Sequence, residues 1–188
     1  KTQTTFSLSG KVYDISQTEG EPLPEIVDKL TGAAPPELKA HLTDVAAGAD
    51  IEVTYQPISG SANGYYDPAK NQIVVDPTND DAQQVKTLTH ELGHAFDPEI
   101  QDKGISDYAM HRGDYEAVAE ATAHVVGHRF GFDTSAYSTG YIASWVNGDP
   151  KRLEAVMERV EESVSKILPP SAADERLAAA QAKAREKQ

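Results

Sequence analysis

At 188 residues the chain is long enough for one substantial domain with appended helices, and its 39% hydrophobic and 7% aromatic content suits a modest core. No apolar run approaches the roughly 18 residues of a membrane-spanning helix, and no signal-peptide pattern is present. Thirty acidic residues against 17 basic give a net charge of −13, which repels nucleic-acid phosphates, because binding them relies on Lys and Arg displacing counterions.

The first residue is Lys1 rather than Met, so the chain reads as a fragment or a processed product with room for an upstream domain. Residues 1–24 read as an extended lead-in and linker, ending in the turn-rich stretch from Gln17 to Pro24. Two short helical patterns follow at about 25–31 and 36–47, the second opened by Pro35 and Pro36 and closed near Gly48. Ile51 to Tyr55 alternates as a half-buried strand does. Gly64 to Asp67 and Gln72 to Asp76 form a hairpin with Pro68 to Asn71 in its turn. Together these predict a small antiparallel sheet of about three strands. The remainder is helical: a helix from about Asp80 or Asp81 to Ala95, a looser stretch at 97–112, then helices at about 114–129, 137–146 and 150–167. The overall class is α+β, with a main domain over 25–168 and a helical or frayed tail over 169–188.

Within the first long helix, Thr87 to Phe96 contains the pattern H-E-x-x-H at His90, Glu91 and His94. Positions four apart share one helix face, so both histidines can hold one cation. Glu91 sits beside that cation without ligating it. There it can take a proton from a water whose pKa a metal lowers towards about 7. Gly93 keeps the helix slim where another segment can pack closely. The alternative is an ordinary helix with two surface histidines. The chain has no cysteine, so any metal site must use His and carboxylate, the catalytic rather than the structural style for zinc. The absence of cysteine also fits a cytoplasmic setting.

Catalytic zinc usually takes three protein ligands, and a third histidine on the same helix would fall at position 100, where Ile100 stands. The helix at 114–129 offers Glu116 and Glu120, one turn apart among alanines that allow close packing. Glu116 is the expected ligand. Glu120 is expected to accept a hydrogen bond from a ligand histidine and fix its tautomer, with the swapped assignment as the alternative. Asp97 is a rival ligand, but its place at the end of the motif helix points to a helix-end or loop role. His124 and His128 repeat the four-residue spacing without a glutamate between them and read as helix histidines, although His124 extends the stripe of Glu116 and Glu120. His41 has no motif context.

An oxyanion donor is also required. Tyr108, His111, Arg112 and Tyr115 lie in or near the segment between the two helices, and Tyr65 and Tyr66 lie on a strand that can border the cleft. Tyr108 and His111 are the preferred candidates. An exposed strand edge, at Gly64–Asp67 or Gln72–Asp76, can hold an extended peptide by backbone pairing.

Taken in order, Gly64-Tyr65-Tyr66-Asp67, Asn71 to Val75, and Lys86 to His94 resemble the zinc peptidase domain of the ImmA/IrrE type. They are closer still to the version joined to ArdC-type antirestriction proteins. Val12 to Gly20, Glu116 to Ala121, Gly131 to Ser138 and Tyr141 to Trp145 support the likeness, which covers about 10–168. The resemblance implies a zincin-like, gluzincin-type architecture with His90, His94 and Glu116 as zinc ligands and Glu91 as catalytic base. It also implies a protein substrate such as a repressor. In such proteins a single-strand-DNA-binding domain precedes the linker segment, and here it would lie before Lys1. The expected activity is that of a zinc-dependent endopeptidase. The competing expectation is a zinc-stabilised binding module acting in antirestriction or regulation without proteolysis. The sequence sets neither the substrate nor the oligomeric state.

Overall fold

The computed structural model describes residues 29–103, 108–134 and 150–168. Its elements are α1 (Pro36–Gly48), β1 (Glu52–Tyr55), β2 (Gly64–Asp67), β3 (Gln72–Val75), α2 (Asp81–Phe96), α3 (Pro98–Lys103), α4 (Tyr108–Arg129) and, as the last, α5 (Pro150–Ile167). The lead-in, the helix expected near 137–146 and the tail after 168 lie outside the described residues. The helix expected at 25–31 does not form over 29–31, and 25–28 lie outside the described residues.

Proline at the start of α1 suits a first turn whose N–H groups have no intrahelical acceptor. Leu38, Leu42 and Ala46, four residues apart, are its buried face. Lys39 of α1 pairs with Asp81, whose other oxygen accepts the Ala34 N–H, so α1 is tied to the beginning of α2. Asp80 occupies the N-cap position of α2, yet its carboxylate accepts the Gly32 N–H rather than an N–H of its own helix.

The hairpin forms as expected. Asp67 accepts from the N–H groups of Ala69 and Lys70, and Asn71 closes the turn in the left-handed region at φ 49°. The Asn71 amide then donates to the carbonyls of Ala49 and Asp50, which sets the hairpin against the start of β1. The expectation of an all-antiparallel sheet is corrected here. The strand order is β1-β3-β2, and β1 pairs with β3 in parallel, Val53 opposite Ile73, while β2 pairs antiparallel, Tyr66 opposite Ile73. The reason lies in β3: Ile73, Val74 and Val75 are all fully buried, the unbroken apolar run of a strand covered on both faces. β3 therefore takes the centre, and Gln72–Val75 has no free edge. Among the described residues, the unpaired edge near α2 belongs to β2.

α2 is the centre of the molecule. Thirteen of its 16 residues are buried, and it packs on α4, α1, α3, α5 and the sheet. At Gly93 α2 and α4 approach closely: a Cβ there would lie 2.8 Å from the Cα of Ala119. This is the close packing that Gly93 and the alanines around Glu116 predict. Two departures from expectation concern the segment after α2. Asp97 and Pro98 start a further short helix, α3, and α4 begins at Tyr108, so the loop expected over 97–112 is mostly helical. α5 packs on α4 through Val156 and Val160 against Ala117, Val118 and Ala121. Its C-terminal end is held by His41, which hydrogen-bonds the carbonyl of Ile167 at 2.7 Å.

Candidate metal centre

The crossing of α2 and α4 brings His90, His94 and Glu116 together, with one possible ligand atom from each within 4.8 Å of the others. The four-residue spacing puts the two imidazoles on one face, ring centroids 4.8 Å apart and edge to face. Glu116 reaches across from α4, its Oε2 3.4 Å from His90 Nε2 and its Oε1 3.9 Å from His94 Nε2. Donors about 2.0–2.1 Å from a tetrahedral ion are themselves about 3.4 Å apart. Two nitrogen donors and one carboxylate at these separations fit zinc or another divalent first-row metal. Among the described residues this is the one His/Asp/Glu group so arranged.

Behind His90 the carboxylate of Glu120 is fully buried, and its Oε2 lies 3.1 Å from His90 Nδ1. The other ring nitrogen, Nε2, faces Glu116. Lys86, one turn before His90, places Nζ 2.7 Å from the same Glu120 oxygen. Lys86 is not among the residues that the sequence marks out for the site. The available signal was its position four residues before His90, on the stripe that faces α4.

These groups polarise one another in the metal-free protein. Burial opposes charge on His90, but its hydrogen bonds to Glu116 and Glu120 prevail and hold it up at about 9. Burial, and then the neighbouring charge on His90, press His94 down to about 3. Burial also works against the Glu120 carboxylate, yet the His90 hydrogen bond and the Lys86 charge bring it down to about 2. Glu91 is pushed up to about 7, by burial first, with the Glu116 charge adding to it and the His90 charge opposing.

A cavity of about 580 Å³ opens over the site. Its lining includes His90, Glu91, His94 and Glu116 together with Ser61 to Tyr66. The Asp76 N–H donates to the Asn63 carbonyl, so this pair and every second pair after it are the hydrogen-bonded ones of the antiparallel ladder. Gly64 and Tyr66 alternate with them and turn their backbone groups away from β3. Gly64 lies close over α2, and a Cβ there would lie 2.5 Å from Thr87 Cγ2.

The other candidates separate clearly. Asp97 is fully buried at the C-cap of α2, its carboxylate paired with Arg159 (Nε to Oδ1 3.0 Å) and accepting the Glu99 N–H. This is the helix-end role. Tyr115 packs under Arg159, 4.8 Å from guanidinium to ring centroid, away from the cavity. His124 Nδ1 lies 3.0 Å from Thr134 Oγ1, and neither His124 nor His128 lines the cavity. Arg112 is exposed with Nε 3.8 Å from Glu116 Oε1. Tyr65 and Tyr66 line the cavity. Tyr108 and His111 sit in the first turn of α4, but their side chains lie outside the described residues.

The fold and site together define an α+β protein with a candidate His-His-Glu metal centre at a helix crossing. Its architecture is similar to that of the antirestriction protein ArdC from plasmid R388. The Mn(II)-bound ArdC structure aligns with a TM-score of 0.54 at 20% identity, covering 78% of this chain and 57% of ArdC. The metal-free ArdC structure aligns at 0.51 and 19% identity, covering 78% and 55%. In sequence, an uncharacterised protein of Bacillus anthracis, pXO2-81, is 28% identical over 186 residues. The chain spans 31% of that relative's length. No family model matches the sequence.

Proposed function

We propose that the protein is a zinc-dependent metallo-endopeptidase with a zincin-like fold of the ImmA/IrrE type, acting on a protein substrate such as a repressor. One observation carries the reading: Glu91 lies beside a convergent His90, His94 and Glu116 set, on the floor of a cavity bordered by an open strand edge. His90, His94 and Glu116 would hold the ion, which supplies Lewis acidity to a water and to a carbonyl oxygen. Zinc is favoured over manganese because a His₂-carboxylate set binds zinc more tightly in the ordinary order of divalent affinities.

The remaining steps belong to the chain. The edge of β2 at Gly64 and Tyr66 pairs with an extended peptide and lays it across the cavity. Glu91, buried and near neutrality in its proton affinity, takes the proton of the attacking water and passes it to the leaving amine. The oxyanion donor is assigned to the first turn of α4, to Tyr108 or His111. The test pairs metal analysis with a proteome-wide comparison of cells expressing the wild-type or Glu91→Gln protein. Both should carry one zinc, and only the wild type should generate new protein termini. Undiminished cleavage by Glu91→Gln refutes the role of Glu91.

The likeness to an antirestriction protein favours a second reading, a metal-stabilised binding module that works without proteolysis. Its acidic surface would then meet a basic partner rather than DNA. Full biological activity of Glu91→Gln would select this reading.

A further inference from the structure

We infer that Lys86 is a positioning residue for the metal centre: it anchors the Glu120 carboxylate in the direction that fixes the ring of His90. The inference rests on the reading that His90, His94 and Glu116 hold a metal.

Two pairs of side chains, each one turn apart on its own helix, face each other across the α2–α4 crossing. Lys86 and His90 come from α2, Glu116 and Glu120 from α4. A single oxygen, Glu120 Oε2, receives both Lys86 Nζ at 2.7 Å and His90 Nδ1 at 3.1 Å. Glu120 is fully buried and Lys86 is 4% exposed, so neither charge is relieved by bulk water. Surface lysines are cheap to ionise and hold no fixed geometry. A lysine buried at this depth is retained only where its charge is matched.

An imidazole that binds a cation through Nε2 carries one proton, on Nδ1. Its hydrogen bond to Glu120 sets the ring plane, but a neutral imidazole is a weak hold on a buried carboxylate. Lys86 supplies the charged partner on that oxygen. With the carboxylate pinned from the far side, His90 cannot swing its ring without breaking a charge-assisted contact. With an ion on Nε2, this contact would keep the bite between His90 and His94 in place.

The experiment measures Zn(II) affinity by chelator competition for the wild type, Lys86→Met, Lys86→Gln, Glu120→Gln and Lys86→Met/Glu120→Gln. Long-range ¹H–¹⁵N spectra of the zinc-loaded proteins report the His90 tautomer. Lys86→Met should weaken zinc binding about 10–100-fold, the cost of losing an outer partner, and the His90 Nδ1–H signal should broaden or shift. Lys86→Gln still donates to Glu120 without charge and should fall between. The double variant should bind no more weakly than Glu120→Gln alone, since the two residues act through one contact. It also removes both buried charges, so it serves if Lys86→Met fails to fold. Wild-type affinity and an unchanged tautomer signal in Lys86→Met or Lys86→Gln would overturn the inference, as would additive losses in the double variant. A wild-type protein that binds no zinc fails one step earlier and overturns the metal reading itself.

Discussion

Metal binding should expel a proton, and the structure sets how steeply. In the metal-free protein His90 is held at about 9 and His94 at about 3, so at neutral pH the first carries its proton and the second does not. A cation that takes Nε2 of His90 must displace that proton. The gap of about two pH units between 7 and 9 amounts to a penalty of about 100-fold in affinity, or about 3 kcal/mol. The sign follows from the raised value: below about 9 the proton competes, and above it the competition ends. Apparent affinity should therefore rise about tenfold per pH unit from about 7 to about 9 and then level off. Glu91, held up at about 7, adds up to about half a proton at neutral pH when the arriving charge ionises it. Calorimetry at about pH 7 in buffers of different ionisation enthalpy measures the count, and chelator competition across pH gives the slope. No proton release, or a flat affinity between about pH 7 and about 9, would refute the coupling of His90 to Glu116 and Glu120.

The other expectations are more direct. Glu116→Gln should lose more affinity than the roughly 10–100-fold cost of an outer partner, because it removes a donor; metal titration checks this. Glu91→Gln should stabilise the metal-free protein at higher pH. The raised carboxylate destabilises the fold above its ordinary value of 4.5, fully so above about 7, so the gain should grow across that window and reach about 1–3 kcal/mol in urea unfolding. Gly93→Ala should destabilise by about 1–3 kcal/mol despite the helix propensity gained, because its Cβ would meet backbone at 2.8 Å; thermal unfolding reports it. Arg159→Met strands the buried Asp97 carboxylate and should cost about 3–5 kcal/mol, read by denaturant melts with metal absent.

Much of the site was legible because helical spacing is local. His90 and His94 are on one face by arithmetic, and Glu116 and Glu120 declare themselves by sitting one turn apart among alanines. Gly93 announces a close approach before its partner, Ala119, is known. The sheet was less legible. Local pairing reveals the hairpin, but which of its strands also receives β1 depends on burial from both sides. Only the unbroken run at Ile73 to Val75 hints at that. α3 was missed although Pro98 after Asp97 is a start signal, since six residues carry little periodicity. Lys86 stayed hidden for a different reason: a lysine on an amphipathic helix is ordinarily solvated, and its burial follows from a carboxylate 34 positions away.

The helix that bears both histidines is also the one against which α1, α3, α4, α5, β2 and β3 pack, with 13 of its 16 residues buried. Loop-borne metal sites can form and dissolve while the rest of a protein stays folded. A site on this helix has no such independence: it exists when the whole molecule is folded and vanishes with it. Ligand free energy is then felt by global unfolding, growing as RT ln(1 + [L]/Kd). A plain melting curve becomes a gauge of metal affinity, and a chelator should act on this protein as a mild denaturant.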